Sequence, residues 1–230
     1  MRRLLSLVLC LPFLVLPVRA AYGSRYVALT FDDGPSGKYT RALLDGLYDR
    51  GAKATFLLCG YRIKDYPDIT QRIVEEGHEI GLHGYSHDNM KPMSRRSIAQ
   101  ELMDTQDLLP EGCRPVFFRP PGGLRSDAVL QVAEARGLAI LHWSVDPHDW
   151  ETHNEQAIEK AVLGQVQDGD IILLHDMSTA SVEAALDIVD VLLKQDYEFV
   201  TVSELARLRG LRPKPGEVYQ KLPPVDRDVK

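Results

Sequence analysis

The chain has 230 residues and a formal net charge of −6, from 27 basic and 33 acidic side chains. This length suits one α/β domain with a large core. The acidic balance makes nucleic acid a poor partner, because binding to phosphates requires a basic surface. Neutral or acetylated glycans remain acceptable partners, and nothing in the sequence indicates an obligate protein partner.

Residues 1–20 have the pattern of a secretory signal peptide. Arg2 and Arg3 precede an apolar stretch from Leu4 to Leu16, and the segment from Val18 to Ala20 provides a small-residue cleavage site. The apolar stretch is short for a membrane span of roughly twenty residues. We therefore expect a secreted or cell-surface protein, which would be membrane-anchored if the signal stayed uncleaved. Cleavage removes three arginines and no acid, so the net charge of the mature chain becomes −9.

Residues 21–210 alternate between apolar runs and helical patterns, which indicates βα units around a mainly parallel sheet. The fold class predicted is α/β, a distorted or incomplete (β/α) barrel of about seven parallel strands. The predicted strands are Tyr26 to Thr30, Ala54 to Leu58, Glu79 to His83, Val116 to Phe118, Ala139 to Trp143, Asp170 to Leu174 and Phe199 to Thr201.

Apolar stripes at helical spacing predict three helix faces that pack on the core. They comprise Leu43, Leu44, Leu47 and Tyr48, then Ile98, Leu102 and Thr105, then Ala184, Ile188, Val191 and Leu192. Residues 211–230 carry four prolines among many charges and predict an extended, mobile tail. We expect Cys59 and Cys113 to be separate thiols, although an oxidising compartment would permit a disulfide between them.

The first predicted strand ends in two adjacent carboxylates, Asp32 and Asp33, followed by the turn-forming pair Gly34 and Pro35. Because the backbone turns just past a strand end, the two side chains can serve one site in different roles. One could bind a metal while the other works as a base. The alternative is an ordinary acidic turn in which aspartate caps backbone N–H groups.

His83 and His87 follow the third predicted strand with three residues between them. This spacing allows the two imidazoles to converge, either on one face of a helix or in a tight turn. Two histidines and one carboxylate form a typical catalytic zinc set, which leaves a coordination position for water. A zincin protease would carry glutamate directly after the first histidine, where this chain has Gly84, so the motif argues against peptidase chemistry.

Three further polar segments, residues 118–123, 146–150 and 171–176, lie at or just beyond strand-like runs. In barrels of parallel strands the carboxyl ends of the strands converge on one face, so a shared site is the economical interpretation. At this point the chain resembles the polysaccharide deacetylases, the NodB-homology family also called carbohydrate esterase family 4. The resemblance spans roughly Tyr26 to Leu205, and all five family motifs occur in the family's order.

The resemblance implies a division of roles around one divalent metal, Zn²⁺ or alternatively Co²⁺. Asp33, His83 and His87 would bind the metal. Asp32 would be the general base, and Arg119 would pair with it and orient it. Water activated at the metal would then attack the acetamide carbonyl, with Asp32 taking the proton.

The resemblance also implies an acid and an acetyl-binding region on the other side of the site. His175 would be the general acid, and Asp149 would orient it. Four residues would surround the acetyl group: Pro120, Gly122, Trp150 and Leu174. Among them, Gly122 would present its backbone N–H to the oxyanion, and Trp150 and Leu174 would form the walls around the methyl group.

Two positions depart from the family pattern. Gly84 replaces a serine or threonine that normally braces the metal-binding loop, and such a loss typically costs about ten- to a hundred-fold in affinity or activity. Gly122 replaces a residue that is commonly tyrosine, which removes a side-chain wall but not the N–H. We expect alanine to be tolerated at Gly122 if the local φ is negative.

The implied activity is N-deacetylation of acetylated amino-sugar polymers, with peptidoglycan N-acetylglucosamine the preferred substrate. Chitin oligosaccharides, an exopolysaccharide and acetyl xylan remain open alternatives. The rival from another class is a glycan-binding member of the fold that is catalytically impaired, for which Gly84 is the main argument. Outside the family motifs, Trp143 is expected in the core, while His148 lies inside the fourth motif and is a candidate substrate contact.

Overall fold

The structure is a computed structural model in which residues 25–224 are described. The predicted signal peptide, residues 1–20, and the last six residues of the predicted tail lie outside this range. Within residues 25–224 no helix is long and apolar enough to cross a bilayer. Cys59 is buried, Cys113 is partly buried, and both are free thiols.

Seven parallel strands form one curled sheet, and an eighth strand pairs with the start of the central strand. The strands are β1 (Arg25–Asp32), β2 (Ala54–Leu58), β3 (Glu79–Leu82), β4 (Phe117–Phe118), β5 (Ala139–Leu141), β6 (Ile171–His175), β7 (Tyr197–Phe199) and β8 (Val218–Tyr219). The order in the sheet is β6, β1, β2, β3, β4, β5, β8, and β7 pairs with β1. The predicted incomplete barrel of parallel strands is therefore confirmed.

Nine α-helices cover the outside of the described sheet. They are α1 (Tyr39–Arg50), α2 (Gly60–Asp65), α3 (Pro67–Glu75), α4 (Arg95–Gln106), α5 (Asp127–Ala135), α6 (Asp149–Thr152), α7 (Glu155–Leu163), α8 (Thr179–Lys194) and α9 (Val202–Leu208). The predicted apolar stripes lie on α1, α4 and α8, and most of their members are buried. Tyr48 is the exception at 72% exposure, because it lies past the edge of the stripe formed by Leu43, Leu44 and Leu47.

Strand β1 lies between β6 and β2, also pairs with β7, and is buried from Val27 to Asp32. It therefore reads as a continuous apolar run, as expected for a parallel strand covered on both sides. Its register places Asp32 opposite His175 at the end of β6. Two predicted site residues thus lie side by side at the carboxyl end of the sheet.

The predicted mobile tail is wrong for the segment that forms β8. The free edge of β5 leaves backbone groups to be satisfied, and the N–H of Ile140 and His142 donate to the carbonyls of Glu217 and Tyr219 at 2.8 and 2.7 Å. Leu222, just beyond β8, is buried. Proline and charge content describe only the tail segment itself. They give no information on the free edge of β5 with which β8 pairs, or on the apolar cluster in which Leu222 is buried.

Candidate active site

The turn after β1 brings the two adjacent aspartates to one place. Asp32 is the last residue of the strand, and Asp33 has a φ of 72°, which turns the chain sharply. Asp33 Oδ1 lies 3.3 Å from His83 Nε2 and 3.1 Å from His87 Nε2. Asp32 Oδ2 lies 3.7 Å from the same nitrogen of His83. The predicted pair therefore serves a single site.

His83 is held in one tautomer by its second ring nitrogen. It follows the end of β3, its side chain is buried, and its Nδ1 lies 2.7 Å from the carbonyl oxygen of Arg119. Because a carbonyl only accepts hydrogen bonds, Nδ1 carries a proton and donates, so Nε2 is the ring nitrogen that faces Asp33. This arrangement is the usual support of a metal-binding histidine.

The residues Asp33, His83 and His87 fit one divalent cation. One donor atom from each lies within 4.8 Å of the other two. Asp33 Oδ1 is buried and accepts no hydrogen bond of normal geometry, although two imidazole nitrogens lie within 3.3 Å. Such an orphaned oxygen beside two imidazole nitrogens matches the donor set of catalytic zinc sites.

The electrostatics of the same cluster keep its carboxylate ionised. Burial raises the pKa of Asp33, but the neighbouring imidazoles of His83 and His87 outweigh it and hold the pKa well below its usual range. The contact with Asp33 in turn raises the pKa of His87 despite partial burial. A negative ligand at the centre of two histidines is thus the resting charge state of this cluster.

Arg119 is completely buried and fixes the orientation of Asp32. Its Nη1 donates to Asp32 Oδ1 at 2.6 Å and to Thr30 Oγ1 at 2.9 Å. Its Nε donates to the carbonyl of Leu141 at 3.2 Å and its Nη2 to that of His142 at 2.9 Å. With its donors directed in this way, the guanidinium has one position, and one oxygen of Asp32 is held against it.

His175, which lines the same cleft as Asp32, forms a second charged pair with Asp149. The two oxygens of the fully buried Asp149 contact His175 Nδ1 and the His175 backbone N–H, each at 2.8 Å. Burial lowers the pKa of His175, but Asp149, with smaller contributions from Asp32 and Asp33, raises it to about 9. The imidazole is therefore held as a proton donor at neutral pH.

The loop at Gly122 is a short 3₁₀ turn over Pro121–Gly123, closed by a bond from Gly123 N–H to the Pro120 carbonyl at 2.8 Å. Gly122 has φ 62° and ψ 14°, so the negative φ on which alanine tolerance depends is not found. No carbonyl of the described chain accepts from the Gly122 N–H. This N–H is therefore free to meet an oxyanion in the cleft.

One cleft of about 390 Å³ collects most of the predicted site. Its lining includes seven predicted residues: Asp32, Asp33, His83, His87, Gly122, Trp150 and His175. Arg119 and Asp149 lie behind this lining and contact it through Asp32 and His175. Pro120 does not line the cleft, and its part is to accept the hydrogen bond that closes the Gly122 turn.

The predicted acetyl wall at Leu174 is wrong, because that side chain is fully buried in the layer between sheet and helices. Leu173 lines the cleft instead. Side chains alternate along a strand, so the face of β6 that carries His175 also carries the residue two positions earlier. The alternation rule applied to His175 would have found Leu173 from the sequence.

Trp143 lies in the cleft and not, as expected, in the core. Its ring stacks on His142 with centroids 5.4 Å apart, and the Arg119 guanidinium lies 5.4 Å from the Trp143 ring. Gly123, with φ 66°, approaches so closely that a Cβ there would lie 2.7 Å from the indole. Asp146 and His148 also line the cleft. His148, the predicted candidate substrate contact, therefore lies where a substrate could reach it.

A buried acid supports the turn that carries Asp33. Asp176 is fully buried, accepts a hydrogen bond from Thr40 Oγ1, and its backbone carbonyl accepts from Ser36 Oγ at 2.7 Å. Burial raises the pKa of Asp176 to about 7. A Cβ on Gly34 would lie 2.6 Å from Asp176 Oδ1, which explains why glycine follows the aspartate pair. Sequence analysis missed this contact because it joins residues far apart in the chain.

The fold and the site together define a hydrolase of the polysaccharide deacetylase class. The family model described as Polysaccharide deacetylase matches residues 19–141. The chain belongs to this family, and the resemblance noted in its five motifs is confirmed.

Two relatives within the family are 37% identical to this chain over the aligned residues. A peptidoglycan-N-acetylglucosamine deacetylase of Bacillus cereus is 37% identical over 191 residues, which cover 80% of this chain and 90% of that protein. The peptidoglycan-N-acetylmuramic acid deacetylase PdaC of Bacillus subtilis is 37% identical over 191 residues, 82% of this chain. The matched region spans only 40% of PdaC.

A solved structure with the same fold is the family 4 acetyl xylan esterase from Clostridium thermocellum, which is in complex with a cobalt ion. It is 35% identical to this chain and superposes with a TM-score of 0.81. The match covers 86% of this chain and 100% of the esterase. The similarity therefore extends over the whole catalytic domain.

Proposed function

We infer that this protein is a metal-dependent N-deacetylase of acetylated amino-sugar polymers, with peptidoglycan N-acetylglucosamine as the preferred substrate. The observation that carries this proposal is that two charged units, Arg119 with Asp32 and Asp149 with His175, meet at one cleft. Asp32, held by Arg119, lies beside the cluster of Asp33 and the two histidines. The protonated His175 lies next to Asp32, at the end of the neighbouring strand. The Bacillus cereus relative supports the choice of substrate.

Asp33, His83 and His87 would hold one divalent ion, for which we propose Zn²⁺, with Co²⁺ as the alternative. When bound, such an ion lowers the pKa of a water ligand toward about 7 and polarises a carbonyl oxygen. The protein fixes the donors through the Arg119 carbonyl on His83 and the turn at Asp33.

Asp32 acts as the base in this proposal. One of its oxygens accepts from Arg119 at 2.6 Å, which leaves Oδ2 facing the ligand cluster. That oxygen accepts the proton of the attacking water. Because the guanidinium is buried and hydrogen-bonded on several sides, it holds the carboxylate aimed at the place where the water must lie.

His175 acts as the acid. An amide nitrogen leaves readily only as a protonated amine, so hydrolysis requires a donor near that nitrogen. Asp149 holds Nδ1 and raises the pKa of the imidazole to about 9, so Nε2 carries a proton at neutral pH. The Gly122 N–H would donate to the oxyanion of the tetrahedral intermediate, a contact typically worth about 10²- to 10³-fold in kcat.

The remaining cleft suits a sugar ring. Trp150 is 55% exposed at the rim, and Trp143 presents its ring from the other side of the Gly122 turn. Leu173 supplies an apolar surface for the acetyl methyl group. Chitin oligosaccharides, an acetylated exopolysaccharide and acetyl xylan are the alternative substrates for the same cleft. The signal-like leader supports a location outside the cytoplasm, which is part of this proposal.

The test is acetate release by the purified chain from a panel of acetylated peptidoglycan, chitin oligosaccharides, exopolysaccharide and acetyl xylan. We expect about one divalent metal per chain, loss of release in excess chelator, and recovery when the metal is returned. Full activity in chelator without bound metal would overturn the mechanism. Glycan binding without acetate release from any polymer would instead support a binding module.

A further inference from the structure

The loop of residues 83–87, which carries both histidines of the ligand cluster, is held from two sides. On one side, the N–H groups of Gly60 and Tyr61 at the start of α2 donate to the carbonyls of Gly84 and Tyr85 at 3.0 and 3.1 Å. The loop's carbonyls are therefore satisfied by a helix N-terminus. Its amide groups point the other way, toward α4.

On that second side, a single carboxylate oxygen of α4 accepts three hydrogen bonds from the loop. Glu101 Oε2 lies 2.8 Å from the Tyr85 N–H, 2.9 Å from the Ser86 N–H and 3.1 Å from Ser86 Oγ. Hydrogen bonds to an ionised acceptor are about twice as strong as neutral ones. Glu101 thus fixes the two residues immediately before His87.

The geometry at Gly84 explains why the brace comes from α4. Gly84 has a φ of 84°, a conformation that residues with a Cβ rarely adopt. A Cβ there would lie 2.5 Å from Met90 Cε, whose side chain is fully buried, and 3.5 Å from Glu101 Oε2. A hydroxyl side chain at this position would therefore need a strained backbone and a shift of Met90, and the carboxylate of Glu101 stands beside it.

We propose that Glu101 is the positioning residue of the metal-binding loop and supplies the support that a serine or threonine at Gly84 would give. His83 has its own second contact, through Nδ1 to the Arg119 carbonyl. His87 follows Ser86 directly and is 43% exposed, so the place of its ring depends on where Ser86 is held. This role rests on the proposed function insofar as the loop carries metal ligands.

The experiment measures metal binding separately from catalysis. Metal-free wild-type protein, Glu101→Ala and Glu101→Gln are titrated with Co²⁺, followed by visible absorption and by competition with a chelating dye. The control is Asp104→Ala on the same helix, whose exposed side chain accepts from Gln100 Nε2 at 2.6 Å and does not contact the 83–87 loop in the described residues. Melting temperatures of the metal-free proteins show whether each variant keeps its fold.

We expect Glu101→Ala to bind Co²⁺ roughly ten- to a hundred-fold more weakly, with an altered absorption spectrum, as for other losses of support around metal ligands. Glu101→Gln should show an intermediate loss, because its amide oxygen still accepts but carries no charge. Asp104→Ala should match wild type. Saturating metal should restore most of the turnover of Glu101→Ala, which a general loss of fold would not allow.

Wild-type Co²⁺ affinity in folded Glu101→Ala would overturn the proposal, and so would an equal loss in Asp104→Ala. If Glu101→Ala does not fold, Glu101→Gln decides in the same way. A wild-type chain that binds Co²⁺ but releases no acetate would overturn the deacetylase function and leave the role of Glu101 to be judged by the affinities. Acetate release with unchanged affinity in the variants would overturn Glu101 alone.

Discussion

Replacing Asp149 by asparagine should convert His175 from a proton donor into a largely neutral imidazole. Asp149 is fully buried, and its two oxygens contact the ring Nδ1 and the backbone N–H of His175, each at 2.8 Å. Asparagine keeps the size of the side chain and one acceptor oxygen but removes the charge. Burial of His175, which lowers its pKa, stays unchanged.

The size of the effect follows from the pKa of His175, which is about 9 in the wild type. Relative to the ordinary value of about 6.5, this difference corresponds to about 3 kcal/mol in favour of the charged imidazole. Asp32 and Asp33 contribute less to this pKa than Asp149 does, so the Asp149 contribution is the main one that the substitution removes. Without it, the pKa should fall to about 6.5 or below.

At pH 8 the protonated fraction of His175 then falls from about 90% to about 3%, which predicts a loss of about thirty-fold in kcat. The loss should shrink below pH 6, where the imidazole is protonated in both enzymes. The assay is acetate release as a function of pH, with metal content measured in parallel. Glu151→Gln, an exposed position on the same short helix, is the matched control.

An alkaline limb at the same pH in Asp149→Asn and wild type would refute the assignment of His175 as an acid poised by Asp149. A loss of equal size at every pH would also refute the charge argument, because it would mean that Asp149 only orients the ring. Metal content should stay at the wild-type level, since neither residue belongs to the ligand cluster.

Three further predictions test the ligand cluster, the oxyanion turn and the pH dependence of folding. Asp33→Ala should lose the metal, whereas Asp32→Asn should keep it and lose turnover; equal metal loss by elemental analysis would contradict these separate roles. Gly122→Ala should lower the free energy of unfolding by about 1 to 2 kcal/mol, because φ is 62°, and wild-type stability in urea would show that this backbone strain is absent. His78 is buried, its Nδ1 accepts from the Ala54 N–H at 3.1 Å, and burial lowers its pKa to about 4. The unfolded chain therefore binds a proton between about pH 6.5 and 4 that the folded chain does not, so up to about 3 kcal/mol of stability should be lost as the pH falls through this range. His78→Asn should flatten this dependence in urea unfolding, and an unchanged slope would contradict the assignment.

The strands and the convergence of the motifs were predictable because both depend on local pattern. Continuous apolar runs identify buried parallel strands, and the polar residues that follow them must meet at the carboxyl edge of the sheet. The register of β1 against β6, with Asp32 opposite His175, is a direct consequence. The resemblance to the family then separated residues that composition alone could not distinguish.

The rest depends on contacts between residues that are far apart in the chain. Leu174 was chosen over Leu173 because both belong to one apolar run, and only the strand's alternation distinguishes them. Trp143 was assigned to the core because its exposure depends on the absence of a side chain at Gly122 and Gly123. The contacts of Glu101 with the loop before His87 join α4 to a segment some fifteen residues earlier, and no local pattern indicates them.

Arg119 explains how neighbouring aspartates can keep different roles. The Arg119 side chain is fully buried, so water does not compete for its N–H groups. Its Nη1 donates to one oxygen of Asp32, Oδ1. Its backbone carbonyl fixes the tautomer of His83, which lies between the two acids. Arg119 does not contact Asp33 through these groups, so Asp33 interacts with His83 and His87 instead. One residue thereby leaves Asp32 Oδ2 facing the ligand cluster, 3.7 Å from His83 Nε2. The distinction between base and ligand therefore depends on Arg119, the residue that directly follows β4, and not on the two aspartates alone.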